Sequence, residues 1–269
     1  MLLAGLFAAS MATSASAFDV IVTIKNVAPD KGTFLTPVWV GFHNGAFDLF
    51  NDGAAASPAL ERIAEDGTTG PLSGAFGMSG FGSIDGTILS SGPIPPFAPG
   101  ETASMRFTLD PMAATSRYFS YASMVIPSND AFIANANPMQ FSIFDGSGNF
   151  LGANFTVRGS MARDAGTERN DEIPMNTAFF GQMMPDTGIV EAGVIGLHPG
   201  FNAGGAILSD ARFANADFTR QGYNFVEISV TAAPDQAAVP EVSTSVSAAA
   251  FLGLIGLGIF RRSRKVQAA

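Results

Sequence analysis

The chain has 269 residues, 23 Asp and Glu against 14 Lys and Arg, a net charge of −9 and a hydrophobic content of 47%. With 24 Phe it has the apolar content of a packed core, which excludes disorder, and its acidity excludes nucleic acid as a partner. There is no cysteine, so disulfides, thiol catalysis and thiolate metal sites are excluded; with only His43 and His198, zinc lacks its usual ligands.

Residues 1–17, "MLLAGLFAASMATSASA", are small and apolar and end in Ala15-Ser16-Ala17, the pattern of a secretory signal peptide with an A-x-A cleavage site. The apolar run is too short to span a bilayer, and a mature start at Phe18 is expected. "FDVIVTIKN" then alternates as a half-buried strand, with Val20, Val22 and Ile24 on one face. A second strand is predicted from about Pro37 to His43. "SPALERIAEDG" carries Leu60, Ile63 and Ala64 at helical spacing, with Ser57 as N-cap, Pro58 at the first position and Gly67 as terminator. It is the one short helix expected in the domain, because residues 71–99 are rich in Gly, Ser and Pro and read as loops with short extended pieces.

"ETASMRFTLD" predicts a strand with Ala103, Met105, Phe107 and Leu109 on one face, and "RYFSYASMVIP" an apolar central strand. "MQFSIFDGSGNFLGANFTV" reads as two strands joined by a turn at Asp145, and "YNFVEISVTAA" as the last strand, with Phe225, Ile228 and Val230 inward. Frequent turn signals and one helix predict an all-β antiparallel sandwich over residues 18–232. Residues 233–241 form a linker. Residues 242–260 carry no charge and run directly into Arg261, Arg262, Arg264 and Lys265. That length and basic stop predict a C-terminal transmembrane helix, with residues 261–269 as a cytoplasmic tail. Four of the 14 basic residues lie in that tail, so the domain itself is more acidic than the whole chain, a surface suited to divalent cations.

The C-terminal end resembles the PEP-CTERM sorting signal of Gram-negative bacteria: a Val-Pro-Glu motif (Val239-Pro240-Glu241), a Gly/Leu-rich apolar stretch, then an arginine cluster. Val242 stands where that signal usually has a second proline. The resemblance implies processing by an exosortase-type enzyme and export linked to exopolysaccharide.

Two acidic loops carry the chemistry of interest. "SMVIPSNDAF" puts Asp130 just past a strand end, and "MARDAGTERNDE" packs Asp164, Glu168, Asp171 and Glu172 into twelve residues of a sparsely charged chain. A sandwich gathers such loops at its ends. Asp130, Asp164 and Glu168 at one tip would repel one another unless a cation lay between them. Calcium, with its six to eight oxygen ligands and flexible geometry, fits that pattern; solvated surface acids are the other reading. "DGSGN" (Asp145–Asn149) lacks the terminal Glu of an EF-hand and reads as a turn, and His43 with Asp48 leaves acid–base work open.

The domain as a whole resembles the spondin-type domain at the N-terminus of F-spondin and mindin. "VTIKN", "GFHNGAFDLFNDGAAASPALERIAEDG", "SMVIPSNDAF" and "DAGTERNDE" follow that pattern in order, the last two most specifically. The resemblance implies a C2-like sandwich with one Ca2+ held by Asp130, Asp164 and Glu168, the last standing where the animal proteins have Asp. It also implies a non-enzymatic adhesion or binding protein, which the signal peptide and the PEP-CTERM resemblance would export to the outer surface or matrix of a Gram-negative bacterium. Its anchor, at least transiently, would be the inner membrane, and its partner an exopolysaccharide, glycan or surface protein. The alternative is a secreted hydrolase acting on extracellular polysaccharide, for which the sequence offers no recognised catalytic motif.

Overall fold

The structure, a computed structural model, describes residues 17–234. In chain order its strands are β1 (Phe18–Asn26), β2 (Phe34–Leu35), β3 (Val38–His43), β4 (Gly82–Ile88), β5 (Thr102–Leu109) and β6 (Tyr118–Ile126). They continue as β7 (Ala131–Ala134), β8 (Phe141–Ser142), β9 (Ala153–Arg158), β10 (Arg163–Asp164), β11 (Gly196–Leu197) and β12 (Asn224–Ala232). The helices are α1 (Pro58–Asp66), α2 (Gly70–Ser79) and the single turn α3 (Ala206–Ser209).

Two antiparallel sheets result. The smaller runs β5-β1-β12-β9; the larger runs β11-β10-β7-β6-β3-β4, with β2 and β8 also pairing to β6. Between them lies one apolar core, built from Val20, Val22 and Ile24 of β1 and Phe225, Ile228 and Val230 of β12 on one side, and Val40, Phe42 and Tyr121 on the other. The alternation visible in "FDVIVTIKN" and "ETASMRFTL" is therefore the alternation of core and solvent. The larger sheet is buried on its other face as well: Trp39, Ala122 and Phe132 pack against Leu60 and Ile63 of α1 and Leu72 and Phe76 of α2. This two-sided burial is why β3 and β6 read as continuous apolar runs.

Helix α1 forms as its sequence dictates. The Ser57 hydroxyl accepts from the Leu60 N–H at 3.2 Å, Pro58 opens the first turn, and Gly67 closes it in the left-handed conformation. The expectation of a single helix is corrected: α2 opens the stretch read as loops with short extended pieces, and β4 is the extended piece within it. Three glycines, Gly70, Gly74 and Gly77, lower the helical propensity of α2 and hide it. The helix is held by burial of Leu72 and Phe76, four apart on one face. Beneath Phe76 the chain needs a residue without a Cβ: a side chain at Gly82 would collide with the Phe76 ring and the Phe42 carbonyl. Gly82→Ala is expected to destabilise the domain by about 1–3 kcal/mol, read as a lower melting temperature.

The segment 141–158 also differs from expectation. Its two halves meet beside the turn, at the Phe144–Phe150 bridge and through the Leu151 N–H to the Ile143 carbonyl, but β8 and β9 do not pair with each other; β8 pairs with β6 and β9 with β12, so the chain changes sheet here. The turn at Asp145 is built as expected, its carboxylate accepting from the Ser147 and Asn149 N–H groups. At the other end of the domain, β1 and β12 are neighbours in antiparallel register, Val20 opposite Ala232, and the Ala233 N–H donates to the Asp19 carbonyl. The chain therefore enters and leaves the sandwich side by side. Among the described residues no helix is long and apolar enough to cross a membrane. The signal peptide (except Ala17), the linker from 235 onward, the predicted transmembrane helix 242–260 and the basic tail lie outside the described residues.

Candidate functional site

Strand β6 ends at Ile126, and residues 127–130 carry the chain into β7. The Ser128 side chain ties this loop together, donating to the Val125 carbonyl and accepting from the Ala131 N–H. β10 then pairs with β7, Asp164 opposite Ala131, which brings the second acidic loop alongside the first. The convergence of the two loops expected from the sequence is present.

Asp130 is fully buried. Its Oδ2 accepts from the Thr167 N–H (2.9 Å), the Thr167 hydroxyl (3.3 Å) and the Glu168 N–H (3.1 Å), and its carbonyl accepts from the Ala165 N–H. The 164–168 turn is thus wrapped around the Asp130 carboxylate, and Gly166, at φ 68°, provides the left-handed residue the turn requires. The other oxygen, Asp130 Oδ1, is buried without a hydrogen-bond partner. Burial, and then the charge of Asp164, push the Asp130 carboxyl up to about 7, against the opposing pull of the Thr167 and Glu168 donors.

Glu168 is 3% exposed. Its Oε1 accepts from the Gly188 N–H at 2.9 Å, and its Oε2 is again buried without a partner. Burial raises its pKa to about 8, with the charges of Glu65, Asp130 and Asp66 adding to the effect. Asp164 behaves differently: its oxygens accept from the Gly166 N–H at 2.7 Å and the Asn170 side-chain amide, so it orders the turn. Glu172 is buried too, spanning the Asn202 and Ile207 N–H groups. The acids of "MARDAGTERNDE" are therefore mostly internal acceptors that hold loops.

The residue that sequence reasoning passed over is Glu65. It lies in the last turn of α1, is 2% exposed, and is raised by burial while pairing with Arg62 and drawing on the Thr167 side chain. Its signal was an acid on the buried side of α1, beside Ile63 and Ala64. Glu65 and Glu168 line one cleft of about 210 Å3 together with Gly166, Thr167, Glu61 and Asp186. Arg62 pairs with Glu65, Asp66 and Asp186 and is the cation beside this group of acids.

Among the described residues, no group of three or more His, Asp or Glu side chains is gathered closely enough to hold a metal ion as it stands. The donor set nevertheless suits a hard cation in chemistry: carboxylates, no sulfur, and two buried carboxylate oxygens, Asp130 Oδ1 and Glu168 Oε2, that have no hydrogen-bond partner. Both histidines are engaged in internal hydrogen bonds. His43 Nε2 pairs with the Ser120 hydroxyl at 2.8 Å and its Nδ1 accepts from the Gly45 N–H; His198 pairs with Asn170 and Gly200 in the same manner. Burial holds both near 4, neutral at ordinary pH.

The fold and site together define an antiparallel β-sandwich with a buried acidic loop cluster at one strand end. No known family model matches the chain, and no curated protein matches it.

Proposed function

We propose that the domain is a spondin-type, calcium-binding adhesion module, non-enzymatic, with the ion held between the Asp130 loop and the 164–168 loop. The observation that carries this reading is the pair of buried, unpartnered carboxylate oxygens, Asp130 Oδ1 and Glu168 Oε2. An ionised carboxylate left without a partner in the interior is costly, and a divalent cation supplies the missing partner for both. Asp130 and Glu168 are the principal ligands in this reading. Glu65 stands in the same cleft as Glu168, and Asp164 adds charge beside Asp130 while its oxygens shape the turn. The ion's contribution is electrostatic: it cancels repulsion among these acids and stiffens the tip. That tip would present a surface to an exopolysaccharide, glycan or surface protein. The chain would be exported by its signal peptide, and sorted or anchored through its PEP-CTERM-like end.

The test is thermal unfolding of the wild type and of Glu168→Gln in calcium and in chelator. Calcium at about a hundred times its dissociation constant stabilises a folded domain by roughly 2.7 kcal/mol. A wild-type melting temperature that rises in calcium, with a much smaller rise in Glu168→Gln, supports the reading. A wild-type melting temperature indifferent to both calcium and chelator sinks it.

A further inference from the structure

Nine large apolar side chains are exposed between Ile173 and Leu197, and Met175, Met183, Met184, Val190, Val194 and Leu197 are each more than half exposed. Ala178 and Ile195 are buried on either side, but from 183 to 194 no side chain is buried, so this part is not held by its own packing. Between it and the larger sheet lies a cleft of about 370 Å3 lined by Met124, Ile126, Phe179, Met183 and Met184. Its backbone is strained as well: Phe179, Asp186 and Ala192 are non-glycine residues at positive φ.

What fastens the segment is the acidic loop. The Gly188 N–H donates to Glu168 Oε1 (2.9 Å), the Arg169 N–H to the Ile189 carbonyl (2.9 Å), the Glu191 N–H to the Thr167 carbonyl (2.8 Å) and the Gly193 N–H to the Gly166 carbonyl (2.7 Å). Glu168 and Val190 form a β-bridge at the same place. Beyond these, the Ile195 N–H reaches the Ala54 carbonyl, and Asp186 reaches Asp66 and Arg62. Every one of the four central bonds goes to residues 166–169, the turn that wraps the Asp130 carboxylate.

We infer that loading of the Asp130–Glu168 site with a divalent cation latches the 183–194 segment onto the sandwich, and that removal of the cation releases it. The inference rests on the calcium reading and extends it to regulation. Without a cation, Glu168 in its ionised form is repelled by the charges of Glu65, Asp130 and Asp66. Turning its carboxylate outward relieves that repulsion and gives up the bond to Gly188. A cation reverses the balance, holding Glu168 inward and the segment with it. Coupling of this kind is reciprocal: whatever loosens the segment lowers the affinity for the ion by the same factor. Gly188 is the contact point, since a Cβ there would collide with the Glu168 carboxylate.

The experiment is hydrogen exchange of the full-length chain, in calcium and in chelator, paired with calcium titration by calorimetry. Amides of 183–194 should exchange at least tenfold more slowly in calcium, while those of β1 and β12 stay unchanged. Gly188→Ala should weaken calcium binding about tenfold or more and leave the segment fast-exchanging at calcium levels that saturate the wild type. Gly196→Ala, where a Cβ meets nothing within 4 Å, should do neither. Calcium uptake by the wild type with no change in exchange across 183–194 overturns the latch while leaving the site intact. Unchanged calcium affinity in Gly188→Ala overturns it too. No uptake by the wild type at all removes the site and the latch together.

Discussion

Asp130→Ala should melt on the order of 10 °C below the wild type at neutral pH, and should show no response to calcium. The cost comes from the loop rather than from the strand. Removing the carboxylate strips the acceptor from the Thr167 and Glu168 N–H groups, at roughly 1–3 kcal/mol for each donor left buried and unpaired. In a domain of this size each kcal/mol is worth roughly 2–4 °C. Asp130→Asn separates this structural role from the ion. It keeps an oxygen for the two amides and removes the charge, so in chelator it should be at least as stable as the wild type above pH 8, yet still blind to calcium. A normal calcium shift in Asp130→Asn would show that the ion, if bound, sits elsewhere.

The second large effect is in pH. In the folded chain the Asp130 and Glu168 carboxyls are pushed up to about 7 and about 8, whereas unfolded Asp and Glu titrate near 3.9 and 4.3. The native state therefore holds protons that the unfolded state has released. The associated stability is full below about pH 4 and is lost as pH rises through 7 and 8. The histidines oppose this at the acid end. His43 and His198 are held near 4, against about 6.5 when unfolded, so their contribution is present above 6.5 and lost as pH falls through 4. Between about 6.5 and 7.5 the carboxylates outweigh the histidines, and above about 7.5 only the carboxylates act. In chelator the free energy of unfolding should fall from about 6.5 to 8.5 by on the order of a few kcal/mol. In saturating calcium, which binds the ionised forms, the fall should flatten. A chelator profile that is level from 6.5 to 8.5 would mean that both carboxylates are already ionised at the lower pH.

The fold was legible where one physical signal dominated. Val20, Val22 and Ile24 alternate because β1 has one dry face and one wet face, and Ser57, Pro58 and Gly67 bracket α1 because each satisfies a specific backbone need. Helix α2 was not legible, because its glycines argue locally against the helix and only the spacing of Leu72 and Phe76 argues for it. Its stability comes from Trp39 and Phe47, far away in the chain. The change of sheet between β8 and β9 was hidden for the same reason: a turn at Asp145 announces itself, whereas the partner of the following strand does not. Asp130 and Glu168 were readable as acids in loops. Their burial was not, since a carboxylate facing solvent and one facing a protein interior look identical in a string of letters. Glu65 was missed because α1 was read for its caps and its apolar stripe, and an acid on the inner face of a helix signifies nothing until its neighbours are known.

The side-by-side entry and exit of the chain at β1 and β12 has a mechanical consequence. A tension applied between residues 17 and 234 would act across the start of the β1–β12 ladder, at the Val20–Ala232 end, and would unzip it rung by rung instead of shearing all its hydrogen bonds at once. Force applied between the acidic loops and Pro234 would instead pass through the packed sheets, so the domain should withstand such a pull far better than one on its two ends.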